Sequence, residues 1–326
     1  MSPSTRGSAA SGRRSPRAAR KVGPEGERRS IFWRWRRAFF AVGLVGILLI
    51  AGAGYLFTQV PLPDRDPPLL QTTFMCSSEV TSGCVADNSI AQLSGGVNRI
   101  SVDWNEIPQV VVDAVLAAED RTFFEHGGVD PAGILRAVWT NLQAGGVSQG
   151  GSTITQQYVK NVYLTQERTI TRKIKEAALA VKVERELPKQ EILTRYLNTI
   201  YLGRGAYGIE AATRAYFGKD LDQISLPETA YLAGLIRSPE TADAKLPEND
   251  PKAQRSRQTA IERRASVLDA MVLTGAITTE EAIAAKANDW SEVLVRSTKN
   301  SYGNVARTEW GTEYFVDYVR HWLITE

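Results

Sequence analysis

The stretch from residue 168 to residue 187, RTITRKIKEAALAVKVEREL, is the clearest structural signal in the chain. Ile170, Ile174, Ala177, Ala178 and Val181 recur on one face at helical spacing, which predicts a helix. Similar helical patterns continue to about residue 290, and no convincing alternating strand follows residue 101. The sequence therefore predicts a mainly α fold.

The same predicted helix carries charge on its other side. Arg172 and Glu176 share a stripe with Leu179 and Val183. A purely solvated face would not carry Leu and Val, so we infer that the charged pair lines a cleft. The alternative is an ordinary surface ion pair worth about 0.3 kcal/mol.

A second acidic motif lies 57 positions earlier and reads Glu119-Asp120-Arg121-Thr122-Phe123-Phe124-Glu125-His126. Pro108 begins the predicted helix that ends near Glu119. Carbonyl dipoles at the helix end and apolar neighbours would both raise the pKa of Glu119, unless Arg121 or another cation offsets them. Such a carboxyl suits a general base or acid. The alternative is a solvated helix end with a local salt bridge, and His126 is expected to hold the turn.

Between the two glutamates lies Gly150-Gly151-Ser152-Thr153-Ile154-Thr155-Gln156-Gln157. Thr153 and Gln156 have the spacing of a capping box. A helix entrance of this kind can present backbone N–H groups to a phosphate, although a Gly-Gly-Ser-Thr loop is often only a turn. The expected polar partners and cations are Ser152, Thr155, Gln157, Lys160, Arg168, Arg172 and Lys173.

The 326-residue chain has a net charge of +3, but its N-terminus is far more basic. Residues 1–37 hold eleven Lys or Arg and two acidic residues, and we interpret them as a disordered cytoplasmic tail. Residues 38–60 carry no charge and predict a single transmembrane helix, with the rest of the chain outside the plasma membrane. A cleaved signal peptide is the alternative.

The only two cysteines, Cys76 and Cys84, lie in a predicted extracytoplasmic stalk at residues 61–100. An oxidising compartment favours a disulfide between them, and two unpaired thiols in a variable loop are the alternative. No Cys or His pair has the spacing of a structural zinc site.

Residues 131–142 predict an amphipathic helix that begins at Asp130-Pro131. Its apolar stripe comprises Ile134, Leu135, Val138, Trp139 and Leu142. Such a stripe belongs by default to a core. Its place between the two acidic motifs of a membrane-tethered domain also fits a surface that dips into the lipid interface.

Four ordered motifs in this chain resemble those of the peptidoglycan glycosyltransferases, glycosyltransferase family 51. The motifs are Glu119-Asp120-Arg121-x-Phe123-x-x-His126-x-Gly128, Gly151-Ser152-Thr153-Ile154-Thr155-Gln156-Gln157, Arg172-Lys173-x-x-Glu176 and Lys189-x-x-Ile192-Leu193-x-x-Tyr196-Leu197-Asn198. The resemblance covers about residues 100–290, and a transferase domain is assigned to residues 101–290. Four motifs in the right order outweigh the purely structural interpretation of each motif taken alone.

The resemblance implies a lysozyme-like α fold that polymerises lipid II into β-1,4 glycan strands and releases undecaprenyl diphosphate. Glu119 would be the catalytic base and Glu176 the second essential carboxylate. The implied substrate and diphosphate contacts are Asp120, Arg121, Phe123, His126, Ser152, Thr153, Thr155, Gln156, Gln157, Lys160, Arg168, Arg172, Lys173 and Asn198. No cofactor is expected to be required, while Mg²⁺ or Mn²⁺ would be compatible with a diphosphate.

Expected partners are lipid II, the growing glycan chain, membrane lipids and cell-wall synthesis proteins, but not nucleic acid. No Ser-x-x-Lys occurs, so no penicillin-binding transpeptidase is expected in this chain. Residues 291–326 are assigned to the start of a linker, in which Tyr314-Phe315-Val316-Asp317-Tyr318-Val319 resembles the junction leading into such a domain. We favour an N-terminal piece of a longer class A penicillin-binding protein over a naturally short enzyme. Two alternatives stay open: a lysozyme-like muramidase or lytic transglycosylase, and a non-catalytic scaffold for cell-wall assembly.

Overall fold

The computed structural model describes most of the predicted domain and scattered residues before it. The described residues are 36, 39–44, 46–48, 51–52, 54–55, 57–61, 72–79, 84, 89, 91–93, 97–144, 151–164, 169–246, 250–288, 290–295 and 305–306. Residues 1–55 and 56–326 are two separate compact units. Among the described residues, no helix is both long and apolar enough to cross a bilayer. The transmembrane helix at residues 38–60 falls partly outside the described residues and stays a prediction.

The second unit is mainly helical, as predicted. Its helices are α1 (Gln109–Glu119), α2 (Pro131–Ala144), α3 (Ile154–Tyr163), α4 (Ile170–Glu186), α5 (Lys189–Thr199), α6 (Ile209–Phe217), α7 (Leu226–Leu235), α8 (Ala253–Leu273) and α9 (Thr279–Ala287). The predicted helix starts hold: Pro108 precedes α1, and Thr153 with Gln156 forms the capping box of α3. Pro131 is the first residue of α2.

Five short strands accompany the helices: β1 (Thr73–Met75), β2 (Ala91–Leu93), β3 (Asn98–Arg99), β4 (Ala206–Tyr207) and β5 (Val305–Ala306). β1, β2 and β5 form one antiparallel sheet in the order β1-β2-β5. β3 pairs in parallel with β4. β4 and β5 follow residue 101, but each has only two residues and is too short to show alternation.

A disulfide joins Cys76 to Cys84, with 5.7 Å between the two Cα atoms. This confirms the favoured pairing. The bond closes a loop that directly follows β1.

The core is built around α7, in which all residues from Glu228 to Leu235 are buried. α7 packs on α8, and both pack on α1. α3 packs against α4 and α5. The acidic motif at the end of α1 and the capped start of α3 are therefore held by two neighbouring helix clusters.

Helix α4 buries the side on which the charged pair was expected to line a cleft, and it buries less of the side that carries Ile170. Ile170 is 83% exposed, and Ile174 and Val181 are only half-buried. Glu176 and Val183 are buried instead. The expected cleft side is thus the inner side, because α3 packs there.

Candidate active site

Glu119 is the last residue of α1, and its side chain is only 7% exposed. Its Oε2 accepts a hydrogen bond of 2.8 Å from the Gln157 amide of α3. Its Oε1 lies 3.4 Å from Nε of Arg237, which follows α7. One carboxylate thus joins three elements that are far apart in sequence.

Burial raises the pKa of the Glu119 carboxyl above its usual range. Arg237, the Gln157 hydrogen bond and Lys160 all act in the opposite direction and do not cancel the effect of burial. The cation beside Glu119 is therefore Arg237 rather than Arg121, which is exposed and donates from Nε to the Ala117 carbonyl. A carboxylate with a raised pKa is suited to take up a proton near neutral pH.

Two pockets meet at Glu119. The smaller, of about 170 Å³, is lined on its far side by Asp130, Arg136 and Ser152. The larger, of about 450 Å³, extends towards Arg263 on α8. Both are also lined by Arg237. This arrangement can hold substrate groups next to one base.

Glu176, the acidic residue of the Arg172-Lys173-x-x-Glu176 motif, is only 1% exposed. Arg172 donates from Nη1 to its Oε2 at 3.0 Å, and Lys173 contacts its Oε1. Lys173 also donates to the Ser152 hydroxyl at 2.7 Å. The predicted cluster therefore forms, although it does not line either of the two pockets at Glu119.

The ammonium of Lys160 interacts electrostatically with both carboxylates, Glu119 and Glu176. Burial lowers the pKa of its ammonium, and the charges of Glu176 and Glu119 act in the opposite direction. The Nε of Arg172 is buried and has no hydrogen-bond partner among the described residues.

The start of α3 is less open to an external anion than predicted. The Ile154 N–H donates to Asp120 Oδ2 at 3.0 Å, and the Gln156 N–H donates to the Thr153 hydroxyl. Asp120 Oδ1 also lies 2.7 Å from His126 Nε2. Asp120 thus serves as the anion at this helix start, and the cradle predicted for a phosphate is occupied by the protein's own carboxylate.

Comparison with known proteins gives a consistent result. The model of the family described as "Transglycosylase" matches residues 86–272. "Penicillin-binding protein 1A" of Aquifex aeolicus is 43% identical over 243 residues, which is 74% of this chain and 32% of that protein. The chain belongs to the transglycosylase family.

Two further relatives carry the same name. "Penicillin-binding protein 1A" of Escherichia coli is 41% identical over 74% of this chain and 27% of its own length. That of Mycolicibacterium smegmatis is 40% identical over 76% of this chain and 30% of its own length. The chain therefore spans about a third of the length of these relatives.

Several residues predicted to touch substrate also have structural contacts in the transglycosylase domain. Thr153 donates to the Gly128 carbonyl, and Thr155 donates to Glu184. The Asn198 amide pairs twice with the backbone of Val102. Gln156 closes the capping box, and Phe123 is a core residue. Polar residues near a site are hard to separate by sequence because the fold needs them too.

The sequence missed two residues that contact the Glu119 environment. Arg237 directly follows the apolar segment Leu232–Ile236, and nothing local distinguishes it from a surface arginine. The Tyr196 hydroxyl donates to the side-chain oxygen Oε1 of Gln157 at 3.0 Å. Because the same Gln157 side chain donates to Glu119, this bond links α5 to the base. Tyr196 lies in the quoted motif that begins at Lys189, so the sequence marked this residue but gave it no role. The predicted contact Arg168 lies outside the described residues.

The described part of the transglycosylase domain contains no cluster of three His, Cys, Asp or Glu side chains that suits a metal ion. Glu176 already holds two cations at its two oxygens, and Glu119 is held by Arg237 and Gln157. These side chains do not fit a protein-held divalent ion, and we derive no step through one.

Proposed function

We propose that the chain is a peptidoglycan glycosyltransferase that polymerises lipid II into β-1,4 glycan strands and releases undecaprenyl diphosphate. The observation that carries the proposal is the buried Glu119, whose pKa is raised by burial and which opens onto two pockets. Two pockets suit a reaction that joins two large glycolipids at one base.

The proposed chemical step is the one that the family resemblance implies. Glu119 takes the proton of the acceptor GlcNAc 4-hydroxyl, and that oxygen attacks the anomeric carbon of the terminal MurNAc of the growing chain. The bond from that carbon to the diphosphate breaks with its electron pair, and the configuration inverts. A positioned base of this kind contributes about 10²–10⁴ in rate.

The cluster at Glu176 is proposed to hold the leaving diphosphate. Arg172, Lys173 and Lys160 provide three cations. Glu176 fixes the two side chains on its own helix, so the donors are already oriented when an anion arrives. Ser152, bound to Lys173, lies where this cluster approaches the smaller pocket.

The same cluster separates this proposal from the alternatives. A muramidase or lytic transglycosylase cleaves glycan at an acidic Glu and has no diphosphate to bind, so three cations beside the site would have no task. A non-catalytic scaffold does not need a carboxyl with a raised pKa between two pockets. Both alternatives are outcomes of the experiment below.

Helix α2 is proposed to contact the membrane. Leu135, Trp139 and Leu142 are 72%, 65% and 73% exposed, whereas a core stripe would be buried. The same helix lines the smaller pocket through Gly133 and Arg136 and the larger one through Thr140. A helix with apolar side chains in lipid and polar side chains at the pockets would admit a lipid-linked substrate from the bilayer.

The topology belongs to the same proposal. Residues 38–60 would form a single anchor, with residues 1–37 in the cytoplasm and the catalytic domain outside the plasma membrane. Contacts with other cell-wall synthesis proteins remain expected. No cofactor is expected to be required, and Mg²⁺ or Mn²⁺ would be compatible with the diphosphate.

The function is tested by incubating the detergent-solubilised full chain with labelled lipid II and separating the products on a gel. Glu119→Gln runs beside the wild type, and Glu125→Gln, in the same motif, serves as the control. We expect a glycan ladder from the wild type and from the control but none from Glu119→Gln.

Cleavage of preformed glycan without a ladder would move the assignment to the muramidase. Neither activity in a chain that binds no lipid II would favour the scaffold. A ladder of equal intensity from Glu119→Gln would remove Glu119 from the role of base.

A further inference from the structure

A chain of two hydrogen bonds runs from the core to the base. The Tyr196 hydroxyl donates to Gln157 Oε1 at 3.0 Å, and Gln157 Nε2 donates to Glu119 Oε2 at 2.8 Å. Tyr196 is fully buried on α5, and burial raises the pKa of its phenol well above the usual value. The phenol is therefore a neutral donor at neutral pH.

The direction of this chain matters because the amide of Gln157 has two different ends. If the amide turned over, its carbonyl would face the Glu119 carboxylate, and two acceptors would meet. That orientation is favourable only when Glu119 is protonated. A tyrosine that donates to the carbonyl end holds the NH₂ end towards Glu119 and so favours the ionised carboxylate.

We propose that Tyr196 is a positioning residue for the base, which acts through Gln157 to keep Glu119 ionised and to assign different tasks to its two oxygens. Oε2 is fixed as the acceptor of the amide, whereas Oε1 takes the proton of the acceptor hydroxyl. This inference rests on the proposed function for its catalytic meaning, but the orientation itself exists without substrate.

Other charged groups also face this part of the molecule. Arg237 approaches Oε1 from the end of α7, Lys160 acts from α3, and Arg263 acts from α8. Asp120 and Glu119 are the charges that act on Tyr196. The bonds of the tyrosine and of the amide lie on the Oε2 side, so their removal leaves the contact of Arg237 with Oε1 in place.

The test compares Tyr196→Phe with Tyr216→Phe. Tyr216 is equally buried and also donates one hydrogen bond, at 2.9 Å, to the Leu202 carbonyl, but it has no contact with the base. The protonation of Glu119 is followed in the substrate-free full chain by infrared difference spectroscopy, with Glu119→Gln to assign the carboxyl band. The pH dependence of kcat/KM on lipid II is measured in parallel.

For Tyr196→Phe we expect the titration of Glu119 and the acid limb of the rate profile to move upward together, by about half a unit to one unit. For Tyr216→Phe we expect no shift. An unchanged titration in Tyr196→Phe would overturn the inference. Equal shifts in the two variants would also overturn it, since they would reflect general loosening.

Gln157→Met provides a second route that leaves Tyr196 intact. It removes the donor to Oε2 and is expected to shift the Glu119 titration upward by at least as much as Tyr196→Phe. In the double variant, Tyr196→Phe should add nothing, because the hydrogen-bond path through Gln157 is already gone. An additive effect in the double variant would contradict the path through Gln157.

The two proposals fail in different ways. If the wild type makes no glycan, the proposed function fails, while the infrared titration still reports on the hydrogen-bond chain. If the titration does not respond to Tyr196→Phe in a chain that makes glycan, only the inference about Tyr196 fails.

Discussion

At the scale of single residues, the two glutamates of the site are both buried but are held differently. Glu119 has one neutral donor and one partly exposed arginine at 3.4 Å, so burial dominates and raises its pKa. Glu176 has two cations directly at its oxygens. Glu119 is thus suited to accept a proton, whereas Glu176 holds the cations Arg172 and Lys173 in place.

The pKa of Glu119 predicts a dependence of stability on pH. The native state binds this proton more tightly than the unfolded chain does. The unfolding free energy contributed by Glu119 therefore falls as pH rises from the ordinary value of 4.5 through the raised native pKa, and it is constant above. Relative to Glu119→Gln, the wild type should lose about 1.4 kcal/mol per unit of pKa shift across that window.

The measurement is urea unfolding of both proteins between pH 4 and pH 8. Glu125→Gln in the same motif is the control and should show no such trend. An unfolding free energy of the wild type that rises with pH relative to that of Glu119→Gln would contradict a raised pKa at Glu119.

The two cations of Glu176 differ in exposure, and this predicts different costs on removal. The Arg172 side chain is 19% exposed and that of Lys173 is 50% exposed. Arg172→Met should lower the unfolding free energy by about 2–4 kcal/mol, because it leaves a buried carboxylate with one partner. Lys173→Met should cost at most about 1 kcal/mol. Equal costs in denaturant unfolding would show that Glu176 does not depend on the buried cation.

At the scale of elements, the turn after α1 is fixed by a close backbone contact with α4. A Cβ added to Gly128 would lie 2.3 Å from the Ala180 carbonyl carbon, whereas nothing lies within 4 Å of one added to Gly127. The turn also carries Asp120, which caps α3. The distance between turn and helix therefore controls where the acidic motif lies relative to α3.

Gly128→Ala should destabilise the fold by about 1–3 kcal/mol, because backbone rather than a flexible side chain must move. It should also lower the transferase rate, since Asp120 and Glu119 move with the turn. Gly127→Ala is the matched control and should stay within about 0.5 kcal/mol of the wild type. Thermal unfolding of both variants checks this, and equal melting temperatures would refute the contact.

At the scale of the whole molecule, the exposed apolar side chains of α2 predict insertion into lipid. In proteoliposomes with brominated acyl chains, Trp139→Phe should reduce the quenched part of the tryptophan fluorescence, because Trp139 would lie among the acyl chains. Trp290→Phe removes a buried tryptophan and should leave that part unchanged. If Trp139→Phe changed only the unquenched part, α2 would lie in water.

Much of the architecture was predictable from local sequence. Helix starts at Pro108, Thr153 and Pro131 were marked by residues with a defined geometric task, and the helices that follow begin there. Glu119 and Glu176 were identified by their motifs. The greater exposure of the α4 face with Ile170 was not predictable, because periodicity shows that a helix has two faces but not which one a neighbour covers.

The sequence by itself determined the helices, the two carboxylates and the family, because capping, periodicity and ordered motifs act over a few residues. The tertiary structure alone decided which polar groups face the site. Arg237 and Tyr196 reach the Glu119 environment from segments 118 and 77 positions away, and Asp120 takes the helix start predicted for a phosphate. Such contacts depend on how helices that are distant in sequence pack against each other, and no local sequence pattern encodes that packing.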